Sequence, residues 1–407
     1  MMKMGPPVAN ARGSVVRVAA ELVKIRFLIA NAYSVGGTIR TTFNTAAALA
    51  DRHDVEIVSV LRRRDEPELE LDPRVRLRAL TDMRPDRRGR AAEWASQKPS
   101  SVFHRHDFRY KGFNRYSDVQ LLRYLASVRG GVLVGTRPGL NLAIARYARR
   151  SVVRIGQDHM NLAGYRPELR QSIARHYPRL DLVTALTHGS AEEYADLLGG
   201  RVRVETMPNG VTGLETHRAD PGAKLVVAAG RLGKRKGFDR LLTAWARVAH
   251  EFPDWRVAIY GHGPWSRKLG RWANELGVGD SVDLAGNSPR LPEEMAKASL
   301  FVMTSRREGF PMVLLEAMSV GLPVLAYDCP TGPRDIVTDG VDGYVVPDGD
   351  TEALAASLAE LMDSEDERRR LGAAAIGTAA EYDIAIIAAR WEALFEELAA
   401  GKRRARA

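Results

Sequence analysis

The sequence predicts an α/β protein made of two Rossmann-like, doubly wound parallel-sheet domains. Three observations carry that prediction. The chain has 407 residues, more than one ordinary hydrophobic core holds and suited to two. Short apolar runs alternate with helical patterns along most of it, which implies parallel strands joined by right-handed crossovers. A turn at Met207-Pro208-Asn209-Gly210-Val211, followed by a polar stretch without periodicity up to Lys224, separates two such series.

Residues 25–30 form the first apolar run, followed by a loop with Gly36-Gly37 and a helical pattern over 41–50: strand, loop, helix. Residues 55–61 read as the second strand. Residues 65–117 are charged and dotted with proline, and predict a mobile loop with little regular structure. Strands follow at Val132–Gly135, 152–156 and 182–186, with helices at 140–149 and 191–198. The second series has strands at Leu225–Ala229, Arg256–Tyr260, 282–284, Leu300–Met303, 323–326 and 344–346. Its helix over 239–251 sets Leu241, Leu242, Trp245, Val248 and Ala249 on one stripe. The resulting division is an extension at 1–24, a first domain at 25–210 and a second at 222–380, with an amphipathic helix at 384–399.

Composition excludes several classes. Apolar residues are 45 % and charged residues 27 %, a globular mixture. The single cysteine, Cys329, rules out an internal disulfide framework and reads as a packed residue. No apolar run approaches the ~18 residues of a membrane span, and 1–24 lacks the apolar core of a secretory signal. The expected location is the cytoplasm. Lysine plus arginine exceeds aspartate plus glutamate, 60 against 50, with clusters at 62–64, 84–90 and 402–406. These clusters are either solvated faces or a surface for phosphates or an anionic membrane, at whose inner side the protein would then be peripheral. No nucleic-acid recognition module is present.

The most informative stretch runs from Thr304 to Met318. A strand ends, a loop carries Glu308 and Gly309, then Phe310, and a helix begins at Pro311. Proline suits a first helical position because it has no N–H to leave unpaired. The amides of Met312, Val313 and Leu314 would then face an anion. Glu316 lies about 7 Å deeper at ~1.5 Å per residue. One carboxylate on either side of a phosphate seat matches a nucleotide sugar: ribose hydroxyls, diphosphate, sugar hydroxyls. Read singly, both glutamates are ordinary surface charges. A second constellation, Gly230-Arg231 with Lys236-Gly237, sits after a strand, where Arg231 and Lys236 can stabilise a departing diphosphate. Gly36, Gly37 and Gly261 permit close approach of backbone to phosphate. Asp158 and His159 follow a strand and would face the cleft from the acceptor side. Thr331 and Gly332 could close over a donor sugar.

Together these motifs resemble the family 4 retaining glycosyltransferases of GT-B fold. The match runs through Gly230-Arg231, Lys236-Gly237, Tyr260-Gly261-His262-Gly263, Glu308 with Glu316, Gly321-Leu322-Pro323-Val324 and Asp342-Gly343, across about residues 224–350. The resemblance implies two domains facing a central cleft and no metal or other cofactor, the donor substrate being a UDP- or GDP-type nucleotide sugar. Glu316 would hold the ribose, Glu308 the transferred sugar, and Arg231 and Lys236 the diphosphate. His159 would be the acceptor-side histidine. The acceptor would be a glycan, a lipid-linked sugar or a wall polymer, and the last helix would cross back onto the first domain. The rival readings are a phosphorylase or epimerase on a similar scaffold, and a non-catalytic nucleotide-sugar-binding protein.

Overall fold

The computed structural model describes residues 22–84, 90–213 and 217–404. Nearly all of the expected extension at 1–24 lies outside them, as do residues 85–89 of the second basic cluster and 405–407 of the tail.

Two all-parallel sheets make the molecule. The first holds β1 (Lys24–Ile29), β2 (Asp54–Arg62), β3 (Arg76–Asp82), β4 (Val132–Gly135), β5 (Val153–Asp158), β6 (Leu182–Ala185) and β7 (Val204–Thr206), in the order β3-β2-β1-β4-β5-β6-β7. The second holds β8 (Leu225–Ala229), β9 (Arg256–Tyr260), β10 (Val282–Gly286), β11 (Leu300–Met303), β12 (Val324–Asp328) and β13 (Gly343–Pro347), in the order β10-β9-β8-β11-β12-β13. Helices cover both faces, so the central strands are apolar throughout; β4, β6 and β11 are buried along their whole lengths. The predicted fold class is the observed one.

Each sheet reverses its winding once, at β1/β4 and at β8/β11. The crevices at those reversals, at the carboxyl ends of the strands, are where open α/β sheets bind ligands.

Residues 65–117 correct the sequence expectation. They hold strand β3, a helix at Arg90–Ser96 and the start of the helix Arg115–Ser127. β3 pairs in parallel with β2, Leu77 opposite Ile57 and Ala79 opposite Ser59. Its alternation is masked by arginines, which occupy the outward positions of this edge strand. The later helix opens with a capping box, Asn114 accepting from the Ser117 amide and Ser117 from the Asn114 amide. Buried Asp118 then accepts from the Ser100 hydroxyl at 2.6 Å and the Ser101 amide at 2.7 Å, fixing the preceding segment.

The two halves are stitched at the linker. The Val211 amide donates to Tyr382 O at 2.8 Å, and the Ile384 amide donates to Val211 O at 3.0 Å. The helix Ile384–Arg404 then lies on the first domain, with Ile387, Trp391, Leu394 and Phe395 in one apolar cluster with Ile25, Phe43 and Leu49.

Candidate active site

The second lobe builds its edge from backbone. β8 delivers Gly230 at φ 150°, and the stem of Lys236 crosses it so closely that a Cβ would stand 2.9 Å from the lysine Cε. A Cβ on Gly261 would stand 1.9 Å from Gly230 O, and one on Gly237 2.0 Å from Thr304 O. The loops after β8, β9 and β11 therefore touch through bare backbone. Gly261 spends its missing side chain on this loop-to-loop contact.

On that platform Lys236 Nζ donates to Glu308 Oε1 at 2.7 Å, and the Ser305 hydroxyl donates to the same oxygen at 2.6 Å. Burial opposes ionisation of Glu308, but the charge and hydrogen bond of Lys236, with Ser305, hold its carboxyl below the ordinary value. Arg231 lies in the loop after β8 and is exposed, and no carboxylate partners it among the described residues.

The helix of the key motif is Met312–Ser319, with Pro311 as the residue before its first turn. Its amides differ from the expectation of three free donors. Pro311 adopts φ −81°, ψ 79°, the inverse γ-turn conformation, so the Met312 amide donates to Phe310 O at 3.0 Å. The Leu314 amide donates to Pro311 O at 2.9 Å, which leaves the Val313 amide without a backbone acceptor among the described residues. Phe310, also expected at the ligand, turns inward against the Tyr382 ring. Gly309 faces the other lobe: a Cβ there would stand 2.4 Å from His159 O.

Glu316, about one turn into the helix, keeps 21 % of its side chain exposed. Burial raises its pKa, opposed by the charges of Arg40 and Lys236. Arg40 belongs to the first lobe, in the helix Gly37–Leu49, and its guanidinium lies 3.8 Å from Glu316. Gly36 and Gly37 open that helix with clear space where a Cβ would stand. The structure thus brings the Gly36-Gly37 turn to the same gap as Glu316 and Lys236. Arg40 was missed in the sequence. The available signal was a cation in the first turn of a helix, where the dipole disfavours it.

His159 follows β5, at the contact with Gly309. Its Nε2 is buried with no hydrogen-bond partner, and burial pushes its pKa down to about 4. The imidazole is neutral near pH 7. Asp158 corrects the expectation that it faces the cleft. Its carboxylate turns inward to accept from the hydroxyls of Tyr165 (2.6 Å) and Tyr194, and burial pushes its pKa up to about 6. Thr331 closes the gap from the second lobe. At φ 60° it donates to Glu308 O at 2.8 Å and accepts from Asn161 Nδ2 of the first lobe at 3.2 Å. A non-glycine residue in that conformation is strained, as residues at ligand clamps often are. Cys329 is buried, its thiol pushed up to about 12. Among the described residues no group of His, Cys, Asp and Glu side chains is placed to hold a metal ion.

Chemically, the gap offers a fixed cation on a buried carboxylate, a helix amide, a second carboxylate with the Arg40 guanidinium beside it, and a neutral imidazole. Comparisons with known proteins bear on what such a gap does. Residues 214–378 match the family described as glycosyl transferases group 1. An exopolysaccharide phosphotransferase of Streptomyces coelicolor is 33 % identical over 388 residues, which are 92 % of this chain but 41 % of that relative, so the chain spans less than half of its length. A GDP-mannose-dependent alpha-(1-6)-phosphatidylinositol monomannoside mannosyltransferase of Mycolicibacterium smegmatis is 31 % identical over 288 residues, 64 % of this chain and 73 % of the relative. The structure of a mutant of S. aureus TarM, in complex with Fondaparinux, alpha-GlcNAc-glycerol and UDP, superposes with a TM-score of 0.74 at 15 % identity, over 92 % of this chain and 100 % of that one.

Proposed function

The chain belongs to the glycosyl transferases group 1, of GT-B fold, and from that premise we propose that it transfers a hexosyl group from a UDP- or GDP-type sugar to an acceptor hydroxyl with retention. The observation that carries the reading is the gathering of Lys236, Glu308 and Glu316 around one helix start, at the reversal of the second sheet, with Arg231 exposed in the loop after β8. A nucleoside diphosphate fits that arrangement end to end. Glu316 accepts from the ribose hydroxyls. The Val313 amide, Arg231 and Lys236 hold the diphosphate. Glu308 holds the transferred sugar through its hydroxyls. Arg40 and the Gly36-Gly37 turn complete the phosphate shell from the first lobe.

As the bond between sugar and diphosphate breaks, negative charge grows on the leaving oxygen. Lys236, held by Glu308, meets that charge from a fixed position and, with Arg231, stabilises the transition state more than the bound donor. The acceptor hydroxyl attacks the face the diphosphate leaves, and the leaving phosphate takes its proton. To His159, neutral and with its Nε2 without a hydrogen-bond partner, the proposal assigns acceptance of a hydrogen bond from donor or acceptor. These steps call on no metal ion. The acceptor is a glycan, a lipid-linked sugar or a wall polymer; the Mycolicibacterium relative, by its name, uses GDP-mannose and a phosphatidylinositol mannoside. No helix among the described residues is long and apolar enough to cross a membrane. The same reading places the enzyme in the cytoplasm, with its basic clusters available to an anionic membrane face.

Product analysis tests the proposal. With UDP- and GDP-sugars and a panel of acceptors, it predicts release of the nucleoside diphosphate and a glycoside of the donor's anomeric configuration. An isomerised donor, phosphorolysis, or binding without turnover across the panel would replace it with one of the rival readings.

A further inference from the structure

The carboxyl edge of the first sheet carries a cluster that donor binding does not use. Arg63 follows β2, and its guanidinium donates to Gly112 O at 3.2 Å, so the segment 103–113 lies over the end of that strand. The segment presents Arg105, Phe108, Arg109 and Lys111 to solvent. Phe108 is 64 % exposed, with the Arg137 guanidinium 4.3 Å from its ring centroid and that of Arg109 at 5.7 Å. The buried carboxylate of Asp107 pairs with Arg137 at 2.5 Å and accepts from the Gly139 amide at 3.0 Å. No carboxylate pairs with Arg63, Arg105, Arg109 or Lys111 among the described residues.

This is a crowd of like charges held together by the fold. Partial burial first, then the charges of Arg137 and Arg63, lower the pKa of Arg109. An anion placed among them would relieve that repulsion. Arg137 stands at the end of β4, near enough to Asp158 for its charge to act on that carboxyl, and the next residue is His159. From the end of β2 across β1 and β4 to β5 is three strand spacings, about 14 Å. The cations therefore form a track leading to the lobe contact at His159 and Gly309.

We propose that this track, Arg63, Arg109, Phe108 and Arg137, is the acceptor subsite, and that it takes a hydroxyl-bearing chain with phosphate diester groups along it. The proposal rests on the glycosyl-transfer reading and names its acceptor class. A phosphate diester stays charged at every pH where the protein is folded, and its two free oxygens match the fork of a guanidinium. The exposed Phe108 ring offers an apolar surface for the C–H face of the intervening unit. A track that ends in a cleft suits a thread better than a flat surface.

The test uses the full chain and a fluorescent oligo(glycerol phosphate), with a maltodextrin and an oligogalacturonate of matched length and vesicles of phosphatidylglycerol as comparisons. The phosphate oligomer should bind at least about tenfold tighter than each of the three, a preference of the size charge-assisted contacts give. Arg63→Gln with Arg109→Gln should abolish the preference, while Arg256→Gln with Arg271→Gln on the other lobe leaves it unchanged. Equal binding of the maltodextrin, preference for the oligogalacturonate or the vesicles, or equal loss in both variants would overturn the proposal. UDP- and GDP-induced thermal stabilisation, measured on the same samples, shows that the variants are folded. Its absence in the wild type would remove the donor reading while leaving the polyanion result to stand.

Discussion

The two carboxyl edges facing one another are made differently. That of the second sheet is backbone against backbone: Gly230, Gly237 and Gly261 sit where a Cβ would strike a carbonyl or the Lys236 stem, and a lysine–glutamate pair is set into the platform. That of the first sheet is side chain over loop: Gly36 and Gly37 have open space around them, Arg63 and Arg109 have no carboxylate partner among the described residues, and the His159 Nε2 has no hydrogen-bond partner. A part that must hold one geometry has no tolerance for a side chain. A part that must accept a variable partner can be lined by side chains that exchange readily.

The largest break in this comparison should come from Lys236→Ala. On the proposed reading it removes a charge that stabilises the leaving diphosphate, and turnover should fall by about 10²–10³. It also strands the buried Glu308 carboxylate, at a cost of about 3 kcal/mol in chemical denaturation. The double variant Lys236→Met/Glu308→Gln should regain much of the stability and none of the activity. Stability recovered by neither variant would mean that the pair is not what holds the platform.

Next come the glycines. Gly261→Ala and Gly237→Ala should each destabilise by more than about 2 kcal/mol, because backbone must move to admit the methyl group. Melting curves showing a shift no larger than that of Gly37→Ala would erase the contrast between the edges.

The pH dependence sharpens the first-lobe side. Asp158 has a folded pKa of about 6, above its ordinary value, so its contribution to stability falls as pH rises from about 4 to 6. His159 has a folded pKa of about 4, below its ordinary value, so its contribution rises over about the same window. The two neighbours oppose each other. Asp158→Asn should expose a rise in stability between pH 4 and 6.5, and His159→Gln a fall, each of about 3 kcal/mol. Denaturant midpoints that change with pH identically in both variants would contradict the burial assigned to them. The smallest effect belongs to Gly37→Ala, which should alter stability by no more than about 0.5 kcal/mol while lowering turnover.

What the sequence disclosed follows the same division. The second edge was legible because its constraints are written in glycines, a proline and charges at fixed spacing, and its strands are uninterrupted apolar runs. A helix starting beside Pro311, the Lys236–Gly237 turn and Glu316 could all be read before the fold. The amide pattern could not, because an inverse γ-turn at Pro311 consumes donors that an ideal helix start leaves free. Phe310 could not be placed either: a ring in a motif points inward or outward according to a partner, Tyr382, distant in sequence. In the first lobe, β3 hid beneath its arginines, and Asp158 read as a cleft residue because nothing local announces Tyr165 and Tyr194. Arg40 became meaningful only when the lobes were brought face to face.

Thermal unfolding with and without nucleotide sugars tests the central claim most directly. In the wild type, one UDP- or GDP-sugar at about a hundred times its Kd should stabilise the fold by about 2.7 kcal/mol. Arg231→Ala, at an exposed and unpaired position, should melt like the wild type when unliganded and lose most of that stabilisation, as should Glu316→Ala. No stabilisation by any nucleotide sugar, or a full response in both variants, would contradict the account.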